Sequence, residues 1–179
     1  MIAHYKFCMV DLPMVVYMKG NRRFVMLIAI SAILVALYIY ESVPLSEPAA
    51  FSINNRTYKL TEFAYTQPEL EKGLMNATVT NTTFMLFNMG GLGIYTFWMK
   101  DTYSQLDIIW LNYSPSTGIA KVVYIANATP CVSYSPNQQN CIMYTPENYS
   151  NYVLEAKHGF VNDTNIRIGA DIKLVFKYG

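Results

Sequence analysis

Cysteine, histidine and charge are all scarce in this chain of 179 residues, which holds three Cys, two His and 14% Asp, Glu, Lys and Arg. It has no Cys-x-x-Cys pair and no cluster of histidines, so the common zinc frameworks lack their ligands and no metal or cofactor is expected. Beyond residue 40 the only imidazole is His158, and no nucleophile-elbow motif surrounds a serine, so Ser/His and Cys/His hydrolase machinery is not visible. His158 reads as a structural histidine with its hydrogen bonds satisfied. Gly90-Gly91-Leu92-Gly93 lacks the GxGxxG spacing and no helical pattern follows, which makes it a turn rather than a phosphate cradle.

What the chain does have is an uncharged apolar run of 17 residues at 24–40, FVMLIAISAILVALYIY. As a helix it is roughly 25 Å long at 1.5 Å per residue, slightly short of a bilayer core of about 30 Å, so its ends must snorkel to span. It is apolar on every face and shows no amphipathic stripe. Arg22 and Arg23 close its first end, with Tyr38, Tyr40 and Glu41 at the other. Residues 1–23 carry four basic side chains and Asp11, a net of +3, whereas residues 41–179 hold 9 basic and 11 acidic, a net of −2. The basic flank predicts a cytoplasmic segment 1–23, a transmembrane signal anchor 24–40 and an extracytoplasmic remainder, in a single-pass protein of the cell membrane. An uncleaved anchor is favoured over a signal peptide, because Pro48 sits where a cut after Ala50 would want a small residue. Met18-Lys19-Gly20-Asn21-Arg22-Arg23 by itself resembles an n-region, so translation from Met18 is an alternative start. The acidic outer balance offers no electrostatic case for nucleic acid.

Seven Asn-x-Ser/Thr triplets follow the run, at Asn55, Asn76, Asn81, Asn112, Asn127, Asn148 and Asn162, and none precedes it. They predict surface glycans on loops, and on an Asn- and Tyr-rich anchored chain they suggest an archaeal cell surface. Pro115 and Pro130 directly follow two triplets and reduce their expected use. Cys131 and Cys141 bracket a turn-rich segment and, outside the cell, are expected to form a structural disulfide. Closing that ring stabilises by roughly 2.5–3 kcal/mol in the chain-entropy picture.

After a short stalk at 41–50, residues 51–179 read as one domain, long enough for a single core. Asn54-Asn55 between apolar alternations signals a hairpin over 51–60. Thr66-Gln67-Pro68-Glu69 has capping-box spacing with proline in the first turn, and Gly73 supplies a stop, which together predict a short helix. Strands are expected at 84–87, 95–100, 106–111, 121–126, 152–156 and 171–176. Their irregular spacing argues for an α+β, mainly β, small barrel-like domain rather than an alternating βαβ sheet.

A strand over 95–100 would place Trp98 and Lys100 on one face and Phe97 and Met99 on the other. A lysine ending such a strand needs water or an anion, and Asp107 is its expected partner, with Asp101 competing from the opposite face. Lys100–Asp107 then reads as a structural salt bridge securing a hairpin, or as a polar handle in an aromatic-walled pocket.

Several of these segments, taken in order, resemble one family. They are Glu69 to Met75 (ELEKGLM, containing Gly73 and Met75), Phe84 to Phe87 (FMLF), Phe97 to Thr102 (FWMKDT), Leu106 to Leu111 (LDIIWL), the cysteine-bearing loop, and Tyr152 to Ala156 with Gly159 and Ile168 to Asp171. Over about residues 56–176 they resemble the prokaryotic domain-of-unknown-function family 192. The resemblance implies a compact β-rich fold, often secreted or anchored, with no settled activity. Within it, Trp98, Lys100, Asp101, Asp107, Gly73 and Met75 are the candidate binding residues. Asp101 replaces the usual Asn, Gln105 stands where proline is common, and Asn76 where a basic residue is frequent; the scaffold is unaffected.

Two classes of function stay open. The first is a membrane-anchored binding or accessory module engaging an envelope protein complex or glycan, for which the 15% aromatic content suits packing, glycan stacking and protein contacts alike. The second is a surface enzyme acting on a polar small molecule or sugar through Lys100 and carboxylates, for which Asp101, Asp107 and Glu155 are available. A closed Lys100–Asp107 pair without a cavity favours the first; an aromatic-lined pocket with a further free carboxylate favours the second.

Overall fold

The structure, a computed structural model, describes residues 26, 28–35, 47–132 and 141–177. The chain divides into two compact units, Met1–Leu45 and Ser46–Gly179. In the first, residues 28–35 are helical and expose Ile28, Ile30, Ile33, Leu34 and Val35. Among the described residues no helix is long and apolar enough to cross a membrane. The expected span at 24–40 lies partly outside the described residues, and the expected cytoplasmic segment 1–23 lies wholly outside them.

The second unit is mainly β. Eight strands form one sheet in the order β2-β1-β10-β7-β6-β9-β4-β3, and a further pair, β5 and β8, forms a small separate sheet. In chain order the strands are β1 Pro48–Ile53, β2 Arg56–Lys59, β3 Glu62–Ala64, β4 Phe84–Gly93, β5 Phe97–Trp98, β6 Leu106–Ser114, β7 Ile119–Ala128, β8 Met143–Tyr144, β9 Ser150–Lys157 and β10 Asp171–Phe176. Every pairing is antiparallel except β3 with β4. The two edge strands, β2 and β3, are consecutive in the chain. Between them Leu60 donates its N–H to Ala49 and Thr61 to the Phe84 carbonyl. One continuous segment therefore links the two ends of the sheet, which curls into a barrel-like wall and leaves little free edge.

Local chemistry explains the elements. Asn54 and Asn55 both adopt positive φ, 49° and 62°, as a tight two-residue hairpin turn requires. The first helix of this unit, α1, is Gln67–Lys72, begun by a Thr66/Glu69 capping box with Pro68 in its first turn and ended by Gly73. Amide donors on Thr66 and Tyr65 hold the Glu69 carboxyl below its ordinary range. A second helix, α2, Phe160–Thr164, follows β9.

Alternation along the central strands builds two cores. One face of the sheet gathers Phe51, Phe84, Leu86, Ile109, Leu111, Leu154, Ile172 and their neighbours, sealed by Phe160 of α2, which meets Phe84 edge-on at 5.0 Å. The other face gathers Met85, Phe87, Ile108, Trp110 and Val153, and is covered by Leu74, Val79 and Met99. Burial on both faces is why β4, β6 and β9 read as nearly continuous apolar runs.

Three sequence expectations are corrected. The strand expected at 95–100 is only Phe97–Trp98, because its partner β8 is two residues long. The glycine run is not a turn: it forms the end of β4, where the pairing with β9 slips between Asn88 and Gly93. Finally, β1 starts at Pro48, inside the segment expected as stalk.

Candidate functional site

Strand β9 breaks its own pattern at one position. Val153 buries against the second core, and two residues on, where another apolar side chain belongs, stands Glu155. Glu155 is 4% exposed, and its Oε2 has no hydrogen-bond partner among the described residues. Its neighbours across the sheet are Met85 on β4 and Ile108 on β6, and Met85 is in turn paired with Glu62 on β3. Desolvation raises the Glu155 carboxyl to about 8, with the charge on Glu62 adding to the rise. At neutral pH Glu155 is therefore mostly protonated and can donate a hydrogen bond as well as accept one.

Above this carboxyl opens a cleft of about 410 Å³. Its walls come from α1 and the turn after it, from β4, and from the segment leading into β5. Phe87, Tyr95, Phe97 and Trp98 supply aromatic surface, while Gln67, Glu71, Lys72 and Thr96 supply polar atoms. The rings are fixed by packing: Phe97 meets Phe87 edge-on at 5.1 Å and Trp110 at 5.7 Å, and the Trp110 indole N–H donates to the Tyr95 carbonyl at 2.8 Å. The glycine run also has a purpose here. The Tyr95 ring lies so close to Gly93 that a Cβ there would stand 2.7 Å from it, and the Tyr95 hydroxyl donates to the Gly91 carbonyl at 2.9 Å.

Gly73 and Met75 both line the cleft. Gly73 takes φ 48°, ψ −139°, a conformation that L side chains rarely adopt, and a Cβ on it would meet Phe87 at 3.4 Å and Glu155 Oε2 at 3.8 Å. Trp98 lines the rim, 46% exposed, and the Lys100 ammonium lies 5.5 Å from its ring centroid. The two side chains lie close together, although the strand expected to align them ends at Trp98.

Asp107 is elsewhere. It is 3% exposed and pairs across the sheet with Ala156, a residue of the opposite core, so it faces away from the cleft. Its carboxylate meets His158 Nδ1 at 2.9 Å and accepts the N–H groups of Gly159 and Val161 at the start of α2. The expected Lys100–Asp107 salt bridge is thereby corrected: the only ion pairs among the described residues are Lys121–Asp171 and His158–Asp107. Backbone N–H donors and a nearby imidazole satisfy Asp107 without the lysine. Asp101 sits at a positive-φ turn, φ 51°, donating its N–H to Cys131 and accepting that of Asn76. Cys131 and Cys141 form a disulfide with Cα atoms 5.7 Å apart. It holds the segment bridged to Lys100 and Thr102, while residues 133–140 between the two cysteines lie outside the described residues. Six sequon asparagines, at 55, 76, 81, 127, 148 and 162, are exposed, and Asn112 is half-buried in β6.

Of the candidate binding residues, Trp98, Gly73 and Met75 line the cleft and Asp107 does not, while Glu155, read from the sequence only as one of three available carboxylates, lies buried beside it. The available signal was a carboxylate inside YVLEA, apolar on both sides.

Comparison with known proteins places these features in context. No curated protein matches the chain. A solved structure of a protein of unknown function from Novosphingobium aromaticivorans DSM 12444 is similar in fold, with a TM-score of 0.56 and 24% identity, covering 72% of this chain and 84% of that one. A structure described as a putative transcription regulator from Sinorhizobium meliloti 1021 is similar with a TM-score of 0.55 and 25% identity, over 73% of this chain and 97% of the other. Residues 50–174 match the family DUF192, described as uncharacterized ACR, and the chain belongs to that family.

Proposed function

We propose that this protein is a membrane-anchored, extracytoplasmic binding module that receives a polar small molecule or a sugar unit of an envelope glycan in the cleft above Glu155. The observation that carries this reading is the aromatic-walled cavity lined by the buried Glu155, whose Oε2 has no hydrogen-bond partner among the described residues. The aromatic-lined pocket with a free carboxyl is the arrangement set out above for an enzyme acting on a polar small molecule or sugar, and flat aromatic faces beside a few convergent polar groups suit a small ring-shaped ligand whether it is held or converted. The anchor rests on the apolar run and its basic flank, and the outward orientation on the distribution of sequons. A regulator's role on nucleic acid, suggested by the second structural neighbour's description, is not supported by a net charge of −2 over residues 41–179.

One observation favours a catalytic variant of this reading. A carboxyl raised to about 8 is protonated at neutral pH, as a general acid must be. Of the other groups first considered for catalysis, Asp107 faces the opposite core and Lys100 lies over Trp98.

Calorimetric titration of the full chain in detergent with a panel of monosaccharides, repeated with Trp98→Ala, tests the proposal. Binding weakened about tenfold or more by Trp98→Ala is expected. Equal binding by both proteins, or none by either, would count against the cleft.

A further inference from the structure

We infer that the cleft selects a ligand carrying a primary ammonium group, which Glu155 meets as its counter-ion. This inference rests on the cleft reading above and names its ligand class. Glu155 is buried, its Oε2 is unpartnered, and that atom lies directly under the cleft wall, 3.8 Å from where a Cβ on Gly73 would stand.

The surroundings of Glu155 supply acid and π-surface but no engaged cation. On β3, Glu62 stands in the same cross-strand row and acts on Glu155 by charge repulsion. On α1, Glu71 and Lys72 line the cleft as neighbours of opposite sign, and neither forms an ion pair with Glu155. Strand β4 contributes Met85, Phe87 and Met89 and no charge to this side. Lys100 beyond β5 is placed over Trp98, and Asp107 on β6 faces the other core. His158 and Lys157, after Glu155 on the same strand end, are respectively paired with Asp107 and exposed.

A neutral hydroxyl would leave Glu155 protonated, the form in which Glu62 does not repel it. An ammonium pairs with the ionised carboxylate and offsets both its desolvation and the repulsion from Glu62; it binds beside the rings of Phe87, Phe97 and Tyr95 and displaces the carboxyl proton to solvent. The balance is R–NH3⁺ plus Glu155–COOH giving R–NH3⁺ paired with Glu155–COO⁻, plus one H⁺ released. Amino sugars and aliphatic diamines share this chemistry.

The test is calorimetric titration of the full chain in detergent with glucosamine, N-acetylglucosamine, glucose and putrescine. Titrations are run at pH 7 in two buffers of different ionisation enthalpy, and repeated with Glu155→Gln after a thermal melt has shown that variant folded. Glucosamine or putrescine should bind at least about tenfold more tightly than its neutral counterparts and release close to one proton per ligand. Glu155→Gln should abolish both the preference and the release. Preference for glucosamine alone identifies the amino-sugar source, and preference for putrescine alone the aliphatic one. If glucose and N-acetylglucosamine bind as well as glucosamine with no proton released, the ammonium inference falls while the cleft reading stands. If no probe binds, both fall.

Discussion

At the scale of single residues, Glu155 and Asp107 show how differently two buried carboxyls can be treated. Asp107 collects an imidazole and two backbone N–H donors, so it serves the packing of α2 against the sheet. Asp107→Asn would turn an amide group toward those donors and is expected to lower stability by about 1–3 kcal/mol in a thermal melt. Lys100→Met, by contrast, should leave the melting temperature nearly unchanged, since an exposed cation–π contact contributes only about 0.5–1 kcal/mol. Glu155 behaves in the opposite sense from a salt-bridged acid. Its folded pKa of about 8 lies above the ordinary value of 4.5, so the folded state binds the extra proton between those limits. Stability is therefore full below about pH 4.5 and falls as pH rises toward 8. Each pKa unit corresponds to about 1.4 kcal/mol, so the loss is large on the scale of a small domain. Melts of the parent protein and Glu155→Gln should coincide near pH 5, and the variant should become progressively the more stable toward pH 8; parallel profiles would contradict the burial of an unpaired acid.

At the scale of elements, most of the domain was legible because its signals are local. The Asn54-Asn55 turn, the Thr66 to Gly73 helix and the apolar runs at 106–111, 152–156 and 171–176 each announce themselves within a few residues, and the structure has an element at each. What was hidden depends on partners distant in sequence. Strands β3 and β8 are three and two residues long and exist only because β4 and β5 lie beside them. The glycines at 90–93 looked like a turn because their purpose, room for the Tyr95 ring, appears only in three dimensions. The same holds for the cleft: Trp98 stood out by its type, whereas the isolation of Glu155 follows from the strands on either side. Gly73 links the two kinds of information, and Gly73→Ala is expected to cost about 1–3 kcal/mol through strain at positive φ, read from the denaturant midpoint. The disulfide belongs to this scale as well. Because Asp101 donates to the Cys131 carbonyl, reduction should speed hydrogen exchange at the Asp101 amide and lower stability by about 2–3 kcal/mol without unfolding the sheet.

At the scale of the whole molecule, the proposed anchor and outward orientation carry their own test. Protease added to intact cells is expected to reach the domain, and glycan mapping should find occupied sites among the six exposed asparagines and none at Asn112, which is half-buried and held in the β6–β7 ladder. A protected domain with no glycan at any triplet would reverse the proposed orientation. The central claim, that the cleft over Glu155 is the working site, is tested most directly by hydrogen-exchange footprinting of the full chain in detergent with and without a saturating concentration of whichever calorimetric probe binds most tightly. Protection is predicted at residues 70–75 and 95–98, on the two walls of the cleft, and absent from the edge around Asp107 and His158. Protection confined to any other surface, or none at all, would contradict it.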